Sequence, residues 1–164
     1  MIPVVGNDAQ WGSDAYWMGE ALAQARMASA IEEVPVGAIV VSAGEVISRA
    51  FNRNRTDTDP SAHAEILALR QAARQIGNYR LTDTTLFVTL EPCFMCAGAI
   101  IHARVKRVVF AAYDQRAGAV GSLANILQTP MLNHVCEVTA GVREKESIVL
   151  LQSYFQQRRT GGLL

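Results

Sequence analysis

Apolar positions along this chain switch repeatedly between a helical and an extended period. From Asp14 to about Ile31 the spacing of Met18, Leu22, Ala25 and Ser29 lays one stripe along a helix, with Ser13 placed to cap it. Val36 to Val41 is instead an unbroken apolar, β-branched run, and Ser42-Ala43-Gly44 turns it toward Val46 to Ala50, which predicts a hairpin. Asn52 to Asp59 is polar and loop-like. Asp59-Pro60 then has the form of an N-cap and first helical position, opening a helix through Leu67, Leu69 and Ala73 that should stop near Gly77. Thr85 to Thr89 predicts a third strand, and Pro92 starts a third helix through Ile100 toward Ala103. Val108 to Ala112 and Val135 to Thr139 predict two further strands, with residues 113–130 between them as loop and a short helix. Arg143 to Arg159 closes the chain as a helix burying Ile148, Leu151 and Phe155.

Strands alternating with helices predict an α/β fold layered on one sheet, where functional groups gather at strand ends and helix starts. At 164 residues, half of them hydrophobic, a single domain spanning 1–164 is expected, with flexible ends at 1–13 and 160–164. No apolar run reaches the roughly 18 residues that span a bilayer. Met1 to Val5 also lacks the basic flank of a signal peptide, so a cytoplasmic protein without a membrane partner is expected. Three cysteines argue against a disulfide framework and for a reducing compartment.

Formal net charge is zero, so the overall balance does not announce nucleic acid. The basic residues are thirteen arginines and two lysines. They recur in groups: Arg49, Arg53 and Arg55; Arg104, Lys106 and Arg107; Arg158 and Arg159. Arginine suits phosphate contact and base stacking, although a solvated helix face explains any single group equally well.

Two short motifs carry candidate chemistry. His63-Ala64-Glu65 is followed 27 residues later by Pro92-Cys93-Phe94-Met95-Cys96. Each alone has ordinary explanations, a capping histidine for the first and a redox pair or half of a structural clip for the second. Together they supply one imidazole and two thiols, the ligand set of a catalytic zinc site that leaves its fourth position to water. Cys93 and Cys96, three apart, share a helix face and can reach one ion. Glu65 is surplus to ligation, and a carboxylate beside the metal can move protons between water and a substrate. Both helix starts also favour anions such as thiolates. His102 lies about 240° around the helix from Cys96 and should face away. His134 and Cys136 share the start of a late strand, and Cys136 as a fourth ligand would make the site structural.

The stretch from Glu33 to Asp114 resembles the cytidine-deaminase-like zinc deaminases, and most closely the bacterial tRNA-specific adenosine deaminases among them. The resemblance lies in Glu33-Val34-Pro35-Val36-Gly37-Ala38, Ala62-His63-Ala64-Glu65, Thr89-Leu90-Glu91-Pro92-Cys93-Phe94-Met95-Cys96-Ala97-Gly98-Ala99 and Gly118-Ala119-Val120-Gly121-Ser122. It implies a three-layer α/β/α fold with a central five-stranded mixed sheet. It also implies one Zn2+ per subunit on His63, Cys93 and Cys96, with Glu65 catalytic, and a homodimer that converts a wobble adenosine to inosine. The implied substrate is a tRNA anticodon arm, first an arginine tRNA with an ACG anticodon, its target nucleotide flipped into the pocket and its neighbours splayed across the surface. Asn52, the Ala64 backbone N–H and Val34 are implied at the purine, and Asp114, Arg158 and Arg159 at the RNA. Gln115 and Arg116 stand where proline and lysine are common in the family. Two other readings share the residues: a deaminase of a free base or nucleotide of the guanine or cytosine type, and a non-catalytic structural-zinc RNA-binding module.

Overall fold

A computed structural model describes residues 9–161. Four helices, α1 (Asp14–Ala30), α2 (Ala64–Ile76), α3 (Phe94–His102) and α4 (Glu144–Thr160), flank five strands. The strands are β1 (Gly37–Ser42), β2 (Glu45–Phe51), β3 (Thr84–Leu90), β4 (Arg107–Ala112) and β5 (Glu137–Ala140), in the order β2-β1-β3-β4-β5. β1 runs antiparallel to both β2 and β3, and β3, β4 and β5 are parallel, so the sheet is mixed as expected.

Strand alternation divides the core in two. Ala38, Val40, Leu86, Val88, Val108 and Phe110 face α2 and α3, whereas Ile39, Val41, Phe87, Val109 and Ala111 meet Trp17, Met18 and Leu22 of α1. Every central strand is covered on both faces, which explains why these segments read as continuous apolar runs. Gly37 admits α1 to the sheet: a Cβ there would overlap the Ala21 carbonyl and the Ala25 amide. Ser13 caps α1 as expected, its hydroxyl accepting the Tyr16 N–H at 3.1 Å.

Several boundaries move. α2 begins at Ala64 and not at Pro60, because the Asp59 carboxylate is spent on a local turn, accepting the Ser61 N–H and hydroxyl, each at 2.8 Å. α3 starts at Phe94, two residues after Pro92. In α1 it is Ala28 that is buried, and Ser29 is only half-buried. In α4 the buried residues are Ser147 and Tyr154, while Phe155 is 48% exposed. Ser147 fixes that rotation by donating its hydroxyl to the Thr89 carbonyl at 2.5 Å. The expected flexible ends lie largely outside the described residues, and α4 itself runs to Thr160.

Candidate active site

β3 delivers the chain through Glu91-Pro92 to Cys93, and the loop after β2 delivers it to His63. Both residues are helix N-caps with extended backbone (φ −73°, ψ 149° for His63; φ −75°, ψ 176° for Cys93), and neither side chain caps its own helix. Each side chain is thereby released toward the other helix start. His63 Nδ1 lies 3.6 Å from Cys93 Sγ and 3.4 Å from Cys96 Sγ, and the three ligand atoms all fall within 4.8 Å of one another. Tetrahedral zinc with bonds of about 2.3 Å to sulfur and about 2.0 Å to nitrogen would separate N and S by about 3.5 Å. The set fits zinc, and among the described residues no fourth histidine, cysteine or carboxylate joins it.

Cys96 donates to Cys93, which is held down to about 4, and the same bond, burial and the nearby Glu65 push Cys96 upward. Thiol ligands release their protons when a metal binds them. The hydrogen bond to Cys93 raises His63 against the opposing pull of its burial. Glu65, second residue of α2, is buried and 4% exposed. Desolvation pushes its carboxyl up, and the Cys96 thiol and the imidazole pull the other way.

Asn52 and Ala64 meet. Asn52 Oδ1 accepts the Ala64 N–H at 2.8 Å, so two groups expected at the purine are joined to each other, with the Asn52 amide NH2 left without a hydrogen-bond partner among the described residues. Val34, Asp114, Arg158 and Arg159 line one groove of about 1040 Å³, together with Tyr113 and Phe155. Gln115, Arg116, Arg55 and Leu90 also border it. Its residues are therefore brought together from five separate segments. Arg158 is partly committed: it stacks 4.9 Å above the Tyr154 ring and donates to the Glu32 carbonyl at 3.4 Å. That carbonyl also accepts from Arg55 and from the Tyr154 hydroxyl, both at 3.2 Å.

Sequence reading assigns no site role to Tyr113, Tyr154 or Glu91, and names Arg55 only within a basic group. Tyr113, beside Asp114 at the end of an apolar strand, was the visible signal of an aromatic wall. Glu91 is buried against the segment 114–122. Desolvation raises its carboxyl, yet the Ser122 hydroxyl and the Ser122, Val120 and Asp114 amides together hold it below its ordinary range. The spare cysteine stays apart. Cys136 donates to the Val105 carbonyl at 3.2 Å, and His134 Nε2 lies 2.6 Å from the same oxygen. Both sit where β4 and β5 begin, whereas the metal-type ligands follow the far end of β3. Burial pushes the Cys136 thiol up to about 11, and Cys136 stands outside the group formed by His63, Cys93 and Cys96. His102 is exposed at the end of α3, apart from the ligand set.

Comparison with known proteins agrees with this geometry. Residues 12–112 match the family model for the cytidine and deoxycytidylate deaminase zinc-binding region. The tRNA-specific adenosine deaminase of Haemophilus influenzae is 48% identical over 147 residues, covering 89% of this chain and 85% of that protein. A solved structure from biochemical and structural studies of A-to-I editing by tRNA:A34 deaminases superposes with a TM-score of 0.80 at 43% identity, covering 83% of this chain and 99% of that one. The guanine deaminase of Nitrosomonas europaea superposes with a TM-score of 0.73 at 28% identity, covering 87% and 84%.

Proposed function

The chain belongs to the family of the cytidine and deoxycytidylate deaminase zinc-binding region, and from that membership we propose that it hydrolytically deaminates the wobble adenosine of a tRNA anticodon loop to inosine. The observation that carries the reading is the convergence of three metal-type ligand atoms within 4.8 Å, beside a buried carboxylate that the set does not use.

His63, Cys93 and Cys96 would hold one zinc ion per subunit, and the ion supplies acidified water and relief of developing negative charge. Glu65 does the proton work. It takes the proton of the attacking water and delivers it to N1 of the adenine as the oxygen adds to C6. It then carries a second proton to the amino nitrogen, the C6–N6 bond breaks and ammonia leaves. The oxygen stays on C6 and a hydrogen on N1, which is inosine.

Asn52 offers its Nδ2 donor to the purine edge, and the Ala64 N–H, by holding Oδ1, fixes the direction of that donor. Val34 forms part of the wall. An adenine must leave its stack to reach such a site, so the flanking nucleotides lie along the groove, against Asp114, Arg158 and Arg159 and beside them Arg55, Arg116 and Tyr113. A groove of about 1040 Å³ bordered by four arginines exceeds what a free base needs, which favours RNA over the guanine-type reading. The arginine tRNA with an ACG anticodon is the first substrate to try. A homodimer accompanies this reading: Phe94, Met95 and Met131 expose apolar surface that a second copy would cover. A cytoplasmic location goes with it, and among the described residues no helix is long and apolar enough to cross a membrane.

Purified, zinc-loaded protein is incubated with that tRNA and, separately, with adenosine, cytidine and guanine. Inosine in the tRNA alone is the expected result, and turnover of a free compound alone would refute it. Glu65→Ala should retain its zinc and lose at least a hundredfold in rate, roughly the worth of a positioned acid–base group.

A further inference from the structure

Glu91 is a buried carboxylate two residues before Cys93 that the proton transfers leave unused. Four donors converge on it. Oε1 accepts the Asp114 N–H at 3.1 Å and the Ser122 hydroxyl, and Oε2 accepts the Val120 and Ser122 N–H groups, both at 3.0 Å. All four come from the segment 114–122, which leaves β4 and supplies Asp114, Gln115 and Arg116 to the groove. The same segment is tied to the ligand side. Cys93 pairs with Gly118 in an antiparallel bridge, and the Ala119 N–H donates to the Pro92 carbonyl at 2.9 Å.

Gly118 faces the Glu91 carboxylate so closely that a Cβ would overlap it. The run Gly118-Ala119-Val120-Gly121-Ser122 thus has a physical reading: the first glycine admits the carboxylate, and two amides and a hydroxyl grip it. Burying a carboxylate is costly unless donors replace its water. Here the donors are mostly backbone, so the charge fixes the path of a loop.

We propose that Glu91 is a positioning residue for RNA recognition, holding the groove wall 114–122 in fixed register with the ligand Cys93. This rests on the RNA reading above. Glu91→Gln preserves size but turns one oxygen into an NH2 group that faces two of the four donors, whichever way the amide is turned.

In zinc-loaded protein, Glu91→Gln should keep its zinc content while binding of an anticodon stem-loop, read by fluorescence anisotropy, weakens about tenfold or more. KM for the tRNA should rise in step, kcat should fall less, and trypsin should cut after Arg116 sooner. Gly118→Ala presses on the same carboxylate, so the double variant should lose less than the sum of the two. Ser122→Ala removes one bond only and should move the same readouts less far, which keeps the test decisive if Glu91→Gln does not fold. RNA binding and Arg116 cleavage unchanged in the folded variants would overturn the proposal. So would a fall in kcat at constant KM. Wild-type protein inert toward tRNA would refute the RNA reading instead, and the tryptic comparison would still report whether Glu91 holds the loop.

Discussion

Asn52 has two amide atoms with two different duties, and substitutions can separate them. Oδ1 holds the first amide of α2, and Nδ2 is the donor proposed for the purine edge. Asn52→Asp keeps the acceptor and deletes the donor, so thermal stability should stay near wild type while kcat/KM for tRNA falls at least tenfold. Asn52→Ala deletes both and should in addition cost about 1 kcal/mol of stability, the usual worth of such a cap. Equal stability of the two variants would remove the capping role. His63, Glu65, Cys93 and Cys96 were legible because their chemistry is written in spacings of two and three residues. The Asn52 to Ala64 bond was not, since it spans twelve positions across an irregular loop. Glu91 escaped for the same reason: its partners are three backbone amides and one hydroxyl 23 to 31 residues away, which no local spacing advertises.

At the level of elements, all four helices and five strands were readable from their periods, and errors gathered at the starts of α2 and α3. Asp59 and Pro92 have the composition of helix openings, but a tertiary demand moves the real caps to His63 and Cys93. Those positions turn their side chains toward the three-residue ligand group and leave their own helix starts without a side-chain cap. Phe155 was misassigned because its helix is anchored by Ser147 and Tyr154, polar-tipped residues that a hydrophobic count ranks low. Gly37 is the element-scale counterpart of Gly118. Gly37→Ala should destabilise the protein by about 3 kcal/mol, since backbone on α1 cannot yield as a side-chain tip would. A urea midpoint indistinguishable from wild type would show that α1 can retreat from the sheet.

On the scale of the whole molecule, the switch from antiparallel to parallel pairing at β3 could not be read from local pattern, because strand order depends on which crossovers the helices make. It matters because β3 and the β2 to α2 loop bring residues 30 apart in sequence, His63 and Cys93, to 3.6 Å. Zinc bridging them would stitch α2 to α3, and its binding energy would count toward folding. Removing the metal with a chelator should lower the melting temperature by about 10 °C or more, on a scale of roughly 2–4 °C per kcal/mol for a chain of this size, and added zinc should restore it. An unchanged melting curve would mean that the ligands are organised without it. The last helix is fastened differently. Arg55, Tyr154 and Arg158 all reach one main-chain oxygen, that of Glu32, a residue with φ of +62°. An acceptor contributed by the peptide itself survives any side-chain exchange at its own position. Exchange at 32 is therefore limited by its left-handed backbone and not by its side chain, with glycine or asparagine welcome and β-branched residues or proline disfavoured, while loss of the contact falls on the three distant donors.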